Sequence, residues 1–177
     1  MLATLALVSV ALTVLACSAV RTLPTRIPGT STPQGSSTPQ RTAARVVYVI
    51  DGDTIMVELN GREVRLRYIG IDAPETVKEN APVEWMGPEA SAANKALVHG
   101  KTVYLEKDVS DTDRYGRLLR YVFLADGTFV NGELVRQGYA QAITYAPDVK
   151  YQDLLRALQR EARNAGRGLW QPATDEP

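Results

Sequence analysis

Between two runs of alternating character, Thr54-Ile-Met-Val-Glu-Leu59 and Val64-Arg-Leu-Arg-Tyr68, lies the pair Asn60-Gly61. Both residues tolerate positive φ, so the pair predicts a two-residue turn that folds the runs into an antiparallel hairpin. Other extended segments surround it. Val46, Val47, Val49 and Ile50 form a β-branched strand ahead of it, and Thr102–Lys107 and Leu118–Leu124 read as strands after it. Helical signals come later. Gly87-Pro88-Glu89 opens a helix with Pro at its first position and Gly100 closes it. Asp126-Gly127 makes a further turn, and Asn131 caps a short helix that ends at Gly138. Tyr139 to Ile143 reads as a last extended piece. Asp148 then caps a helix whose apolar stripe is Tyr151, Leu154, Leu155, Leu158 and Ala162. The order predicts an α+β, mainly β fold, a five-stranded barrel of the oligonucleotide/oligosaccharide-binding (OB) type with about three helices. On pattern alone, another α+β arrangement stays open.

The two ends of the chain read differently from this body. Residues 2–16 are an almost unbroken apolar run ending in Val14-Leu15-Ala16-Cys17. Its length suits the core of a signal peptide better than a spanning helix. Cys17, directly after Leu15-Ala16, resembles the processing box of bacterial lipoproteins, in which the cysteine is lipidated and anchors the chain to a membrane. An uncleaved anchor, or ordinary cleavage near Ala19, is the alternative. Residues 18–44 are rich in Ser, Thr, Pro and Gln, with Ser31-Thr32-Pro33-Gln34 recurring as Ser37-Thr38-Pro39-Gln40. Without apolar periodicity they read as a flexible tether, followed by a domain over 45–171 and an unstructured tail over 172–177. The expected location is therefore the bacterial cell envelope or the medium.

Composition narrows the chemistry. The 177 residues carry 20 Lys and Arg against 20 Asp and Glu, which excludes a coat that grips nucleic acid by bulk charge. A hydrophobic share of 45% excludes a wholly disordered chain. One Cys and one His exclude a disulfide framework and leave any metal to oxygen ligands.

Four segments carry candidate chemistry. Asp51-Gly52-Asp53-Thr54 sets two carboxylates around a glycine, which serves a hard cation or merely a turn. Arg67-Tyr-Ile-Gly-Ile-Asp72-Ala-Pro-Glu75-Thr76 comes next. On a straight strand Arg67 and Asp72 face opposite sides, and they enter one pocket only if the chain bends at Gly70. Pro74 ends the strand and leaves Glu75 on a loop; a surface ion pair and a turn carboxylate are the plainer reading. In Asp111-Thr-Asp-Arg114-Tyr115-Gly-Arg117, two guanidiniums flank a Tyr and a Gly, a set able to grip phosphate beside a sugar or base. A solvated hairpin loop is the alternative there. Trp85, in the loop 77–86, is either a rim contact or packing.

The order Asp-Gly-Asp-Thr, Arg-x4-Asp-x-Pro-Glu-Thr, Gly-Pro-Glu-Ala, Asp-x-Tyr-Gly-Arg and Leu-Val-Arg-Gln-Gly resembles the staphylococcal (micrococcal) nuclease or thermonuclease family, over roughly residues 45–171. The resemblance implies a calcium-dependent phosphodiesterase that cuts DNA and RNA and leaves 3′-phosphate products. By position it makes Asp53 and Asp72 the Ca2+ carboxylates, with the main-chain carbonyl of Ala73 as a further ligand and Asp51 behind them. Glu75 resembles the base that activates or positions the attacking water. Arg67 and Arg117 resemble the phosphate clamp, Arg117 nearest the leaving oxygen. Arg114, Tyr115 and Tyr145 resemble substrate contacts. No protein partner is expected, and the chain is expected to be monomeric.

The chain also departs from the family. Ala73 stands where Thr is frequent, an exchange that leaves a main-chain ligand intact. The loop 77–86 has only Lys78 where the type member is lysine-rich. Ile143-Thr144-Tyr145-Ala146-Pro147 is one residue short around the base-stacking tyrosine. Two other function classes compete: an OB module on the cell surface that binds nucleic acid without turnover, and a glycosidase using Asp72 and Glu75 as acid and base, which leaves both arginines idle.

Overall fold

The computed structural model of the chain describes residues 40–76 and 83–172. The apolar run with Cys17, nearly all of the tether, Lys78 and the last five residues lie outside them. Among the described residues no helix is long and apolar enough to cross a membrane.

The Asn-Gly signal sets the first hairpin. Asn60 and Gly61 take φ of 53° and 74°, the mirror-image turn whose twist matches a hairpin. They join β2 (Thr54–Leu59) to β3 (Arg62–Tyr68) with Leu59 opposite Arg62 and Ile55 opposite Leu66. Alternation then sends Ile55, Val57, Leu66 and Tyr68 inward, all essentially buried. On the far side of β2 lies β1 (Thr42–Val49), whose register slips between Val46 and Tyr48. That strand begins at Thr42, inside the stretch that composition assigns to the tether.

After α1 (Gly87–Val98) come β5 (Thr102–Glu106) and β6 (Leu118–Phe123), with a two-residue β4 (Ile71–Asp72) before the helix. β6 runs parallel to β3, while β5 is antiparallel to both β6 and β1. The order β1-β2-β3-β6-β5 closes on itself, so the five main strands present no free edge. This is the mainly β, OB-type barrel with three helices expected from the sequence. The remaining elements are α2 (Val130–Arg136), β7 (Gln141–Ala142), which pairs with β4, α3 (Gln152–Asn164) and a short 3-10 turn at Gly168–Trp170.

Two expected helix caps belong elsewhere. Asn131 lies inside α2, fully buried; its Oδ1 accepts from the Val122 amide at 2.9 Å and its Nδ2 donates to the Ile69 carbonyl at 2.9 Å. Asp148 stands before the start of α3, and its Oδ1 accepts from the amides of Val109 and Ser110 at 3.0 and 2.8 Å. Within α3, Leu155 and Ala162 are buried, but Leu154 of the expected stripe faces solvent. Gly138 and Gly168 meet backbone to backbone: a Cβ on Gly138 would lie 2.2 Å from the Arg167 carbonyl oxygen, and one on Gly168 2.4 Å from that of Gly138. The Leu169 amide donates to the Gly138 carbonyl at 2.9 Å and ties the last turn to the end of α2.

A second core lies outside the barrel, built from Tyr121, Phe123, Phe129 and Tyr151. Tyr121 meets Tyr151 edge-on at 4.6 Å and Phe123 stacks on Phe129 at 4.9 Å, geometries that ring quadrupoles favour. Beside it the Glu106 carboxylate, almost fully buried, accepts from Arg41 Nε (3.0 Å), Lys150 Nζ (2.5 Å) and the Tyr151 hydroxyl (2.9 Å). Burial alone would raise the Glu106 pKa, but these three donors outweigh it and hold the carboxyl below its ordinary value. The group therefore stabilises the fold above about pH 4.5 and ceases to do so as pH falls through its lowered native value. Glu106→Gln leaves Lys150 and Arg41 without their counter-charge and is expected to cost about 2 kcal/mol at pH 7, less than a fully buried pair because both cations are part-exposed. Urea unfolding of both proteins at pH 7 and pH 3 checks this: the gap should narrow at the acid end.

Candidate functional site

The site begins at the turn between β1 and β2. The amides of Ile50 and Asp51 both donate to the Thr54 carbonyl, and Asp51 Oδ1 accepts from the Asp53 amide at 3.0 Å. The segment is thus a turn, as its composition allows, and the turn aims Asp53 into the protein. Gly52 is required by close approach, since a Cβ there would lie 2.5 Å from Ala73 Cβ and 3.0 Å from Ala90 Cβ. Asn94 of α1 holds the turn from below, donating to the Asp51 carbonyl at 3.0 Å and accepting from the Tyr68 hydroxyl at 2.9 Å.

The bend anticipated at Gly70 is present. Gly70 has φ +80°, which lets β3 turn into β4, and a Cβ on it would lie 2.6 Å from Leu155 Cδ1. The Ile143 amide donates to its carbonyl and fixes the turn. Arg67 and Asp72 consequently share one side: Arg67 Nη2 donates to Asp72 Oδ1 at 2.6 Å and to the Ile71 carbonyl at 3.4 Å. The other end of the same guanidinium, Nη1, donates to Asp53 Oδ1. Asp53 accepts three hydrogen bonds, because Oδ1 also accepts from Thr54 Oγ1 and Oδ2 from the Ala73 amide at 2.7 Å, which leaves acceptor capacity on Oδ2. Asp53, Asp72, Ala73 and Asp51 therefore form one contiguous cluster around Arg67.

Charge in this cluster does not balance. Burial pushes the Asp53 carboxyl up to about 8; Arg67 opposes the rise and Asp51 adds to it. With Asp53 deprotonated, a state that a bound cation would favour, three carboxylates against one guanidinium give a formal charge of −2, the charge that one divalent cation cancels. Among the described residues no three His, Cys, Asp or Glu side chains converge as a ready-made cage. Two carboxylates brought to a common guanidinium, with main-chain oxygen nearby and no soft ligand, fit a hard cation that completes its shell with water or substrate oxygen.

The loop from Asp111 to Arg117 faces this cluster across a cleft of about 500 Å³, lined by Arg67, Ile69, Ile71, Arg114, Tyr115, Arg117, Leu119, Ile143 and Tyr145 among others. Asp113, which the sequence reading left without a role, organises the loop. Its Oδ1 accepts from the amides of Tyr115 (2.9 Å) and Arg117 (3.0 Å), and its Oδ2 accepts from Arg117 Nε at 2.7 Å. Burial works against the Asp113 carboxylate, but these donors outweigh it and hold its pKa below the ordinary range. Arg117 is oriented through Nε, and its two Nη groups have no protein partner among the described residues. Tyr115 and Tyr145 are 68% and 70% exposed, too open for packing to explain them. Asp148 ties Tyr145 into place: its amide donates to the Tyr145 carbonyl at 2.9 Å while its carboxylate holds residues 109–110.

Glu75 stands apart from the cleft lining. It is half-buried on the loop after β4, and its side chain makes no hydrogen bond among the described residues. Its backbone is anchored, its amide donating to Glu84 Oε2 at 3.2 Å and its carbonyl accepting from the Glu84 amide at 3.1 Å. Trp85, next along, is exposed, which favours the rim reading over packing. Asp113, Asp148, Asn94 and Glu84 thus support the site without having been legible as part of it. Only Asp113 left a local mark, its i,i+4 spacing to Arg117.

Comparison with known proteins gives concordant matches. Residues 65–172 match the model of the family described as staphylococcal nuclease homologue. The thermonuclease of Staphylococcus hyicus is 42% identical over 136 residues, covering 77% of this chain and 80% of that protein. The thermonuclease of Staphylococcus intermedius is 43% identical over 126 residues, covering 71% and 74%. Endonuclease YncB of Bacillus subtilis (strain 168) is 43% identical over 123 residues, 68% of this chain and 58% of the relative.

Gly52→Ala tests the packing under the site. The added methyl must push Ala73 away, and the expected cost is about 1–3 kcal/mol. Thermal unfolding measures that loss, and a shift of the Ala73 amide resonance reports the displaced contact with Asp53.

Proposed function

Because the chain belongs to the staphylococcal nuclease family, we propose that it is an exported, calcium-dependent nuclease that hydrolyses the phosphodiester bonds of DNA and RNA. The observation that carries this reading is the common cleft of Arg67 and Arg117, with a cluster of negative charge held at the back of Arg67. A cleft that only stacked bases would have no need of an unbalanced carboxylate cluster behind one of its cations.

Each residue takes a part that its surroundings support. The phosphodiester enters between the two guanidiniums, whose planar forks match its equatorial oxygens. Arg67 uses three N–H interactions on Asp53, Asp72 and the Ile71 carbonyl, which leaves two of the five donors of a guanidinium for substrate. Arg117 spends only Nε on Asp113 and offers its Nη groups to the leaving side of the phosphate. A calcium ion, which the carboxylates of Asp53 and Asp72 and the main-chain carbonyl of Ala73 would hold with Asp51 behind them, supplies Lewis-acid charge where negative charge grows. Glu75 orients the attacking water and takes its proton. Release of the 5′ oxygen then leaves a 3′-phosphate. Arg114, Tyr115 and Tyr145, on the cleft rim, steady the neighbouring nucleotide. The apolar run before Cys17 supports export, with lipidation at Cys17 tethering a monomeric domain to the cell envelope through residues 18–44.

The mature chain is expected to cut single-stranded DNA with added calcium and to stop on chelation. Glu75→Gln and Arg117→Lys should each lower kcat by about 10²–10³ while circular dichroism stays unchanged. Full activity in both variants would overturn the assignment. Separately, Cys17→Ser should move the protein from the membrane to the soluble fraction of cells; unaltered partition would remove the lipid anchor and leave the nuclease reading intact.

A further inference from the structure

One surface of α3 has no part in the chemistry just described. Arg156, Arg160 and Arg163 lie at i, i+4 and i+7, on one side of the helix, and all three are exposed. None of them forms an ion pair among the described residues. Of the two acids in α3, Glu161 pairs with Arg167 at 2.7 Å. Asp153 lies in the first turn, where a carboxylate favours the helix's own N-terminal amides. In a chain with no formal net charge, three neighbouring unpaired guanidiniums are a local excess.

The stripe starts at the cleft. Arg156 Nη2 donates to Thr144 Oγ1 at 3.1 Å, and the two neighbours of Thr144, Ile143 and Tyr145, line the cleft. From there it runs away from the site and ends at Arg163, whose guanidinium stacks 4.1 Å above the ring of Trp170. That stacking uses the face of the guanidinium and leaves its edge donors available to an anion. From Arg156 to Arg163 the helix rises about 10 Å, the axial length of about three stacked nucleotides.

We propose that this stripe is a phosphate track, which holds the backbone of the nucleic-acid strand where it leaves the cleft past Tyr145. The inference rests on the nuclease reading for the identity of the strand and adds a second contact region, one that senses length but not base. Continuity with the cleft favours a strand over the other polyanion that such a stripe could meet, an acidic lipid surface. Its consequence is a preference for longer substrates: a short oligonucleotide fills the cleft alone, whereas a longer one also reaches the arginines.

The test measures binding under chelator, so that nothing is cleaved. Fluorescence anisotropy would follow oligothymidylates of about 4 and about 16 nucleotides, the range of strand lengths that single OB folds accommodate, over a series of salt concentrations. For the wild-type chain, the slope of log K against log salt should be steeper on the longer strand by about 2, or about 0.7 per phosphate contact. Arg160→Gln/Arg163→Gln should reduce that slope by about 1.4 on the longer strand and leave the shorter one unchanged. Arg160→Lys/Arg163→Lys, which keeps the charge, should retain most of it. Equal slopes on the two strands, or no effect of the Gln pair, overturn the track. Loss of binding to phosphatidylglycerol vesicles, with strand binding untouched, overturns it in favour of a membrane-facing surface. A chain that cuts no nucleic acid in calcium defeats the proposed function instead, and the binding slopes still decide the track on their own.

Discussion

The guanidinium of Arg67 is the joint on which the site depends. It leaves β3 and is held at one end by Asp53, from the turn before β2, and at the other by Asp72 in β4. Three separate pieces of backbone are thus fixed by one planar group. Its price is electrostatic, since Asp53 is buried beside Asp51 with only one cation to compensate. Such a cluster is poorly matched for stability alone, because apolar residues of similar volume would generally do as well. It makes sense as a place where positive charge is to be received.

The parts of the protein divide by how far their contacts reach. The β2–β3 hairpin was legible because its determinant is local, two adjacent residues with positive φ, and the barrel followed from the strands around it. The meeting of Arg67 with Asp72 was legible only as a condition on Gly70. Whether the chain bends there depends on Leu155 and Ile143, far along the sequence. Asn131 and Asp148 were misread for the same reason. An Asn or Asp ahead of an apolar stripe looks like a helix cap, but their amide partners are 9 and 38–39 residues away. The family motifs supplied the candidate residues that periodicity could not, although Glu75 stands off the cleft lining among the described residues.

The cleft is supported by different means on its two sides. Around Asp53 the backbone is packed so closely that Gly52 has no room for a methyl group. Across from it, Asp113 and Asp148 hold their loops by hydrogen bonds to amides, with Tyr115 and Tyr145 open to solvent. The tightly packed side carries Arg67 and its carboxylates, while Arg117 stands on the hydrogen-bonded side. The same side carries two solvent-exposed rings, and there small adjustments are cheap.

The contact between Gly138 and Gly168, which lie after every barrel strand, bears on how the protein is made. The bond from the Leu169 amide to the Gly138 carbonyl cannot form until Leu169 has been synthesised, after every strand of the barrel, and Gly168 admits no side chain at the crossing. The buried end of α3 and the last turn are likewise C-terminal to every barrel strand. A ribosome-bound fragment that stops short of Leu169 therefore lacks the clasp that fastens the last turn to the end of α2. On the export route proposed above, such late fastening would keep the emerging chain loose while it threads a secretion channel.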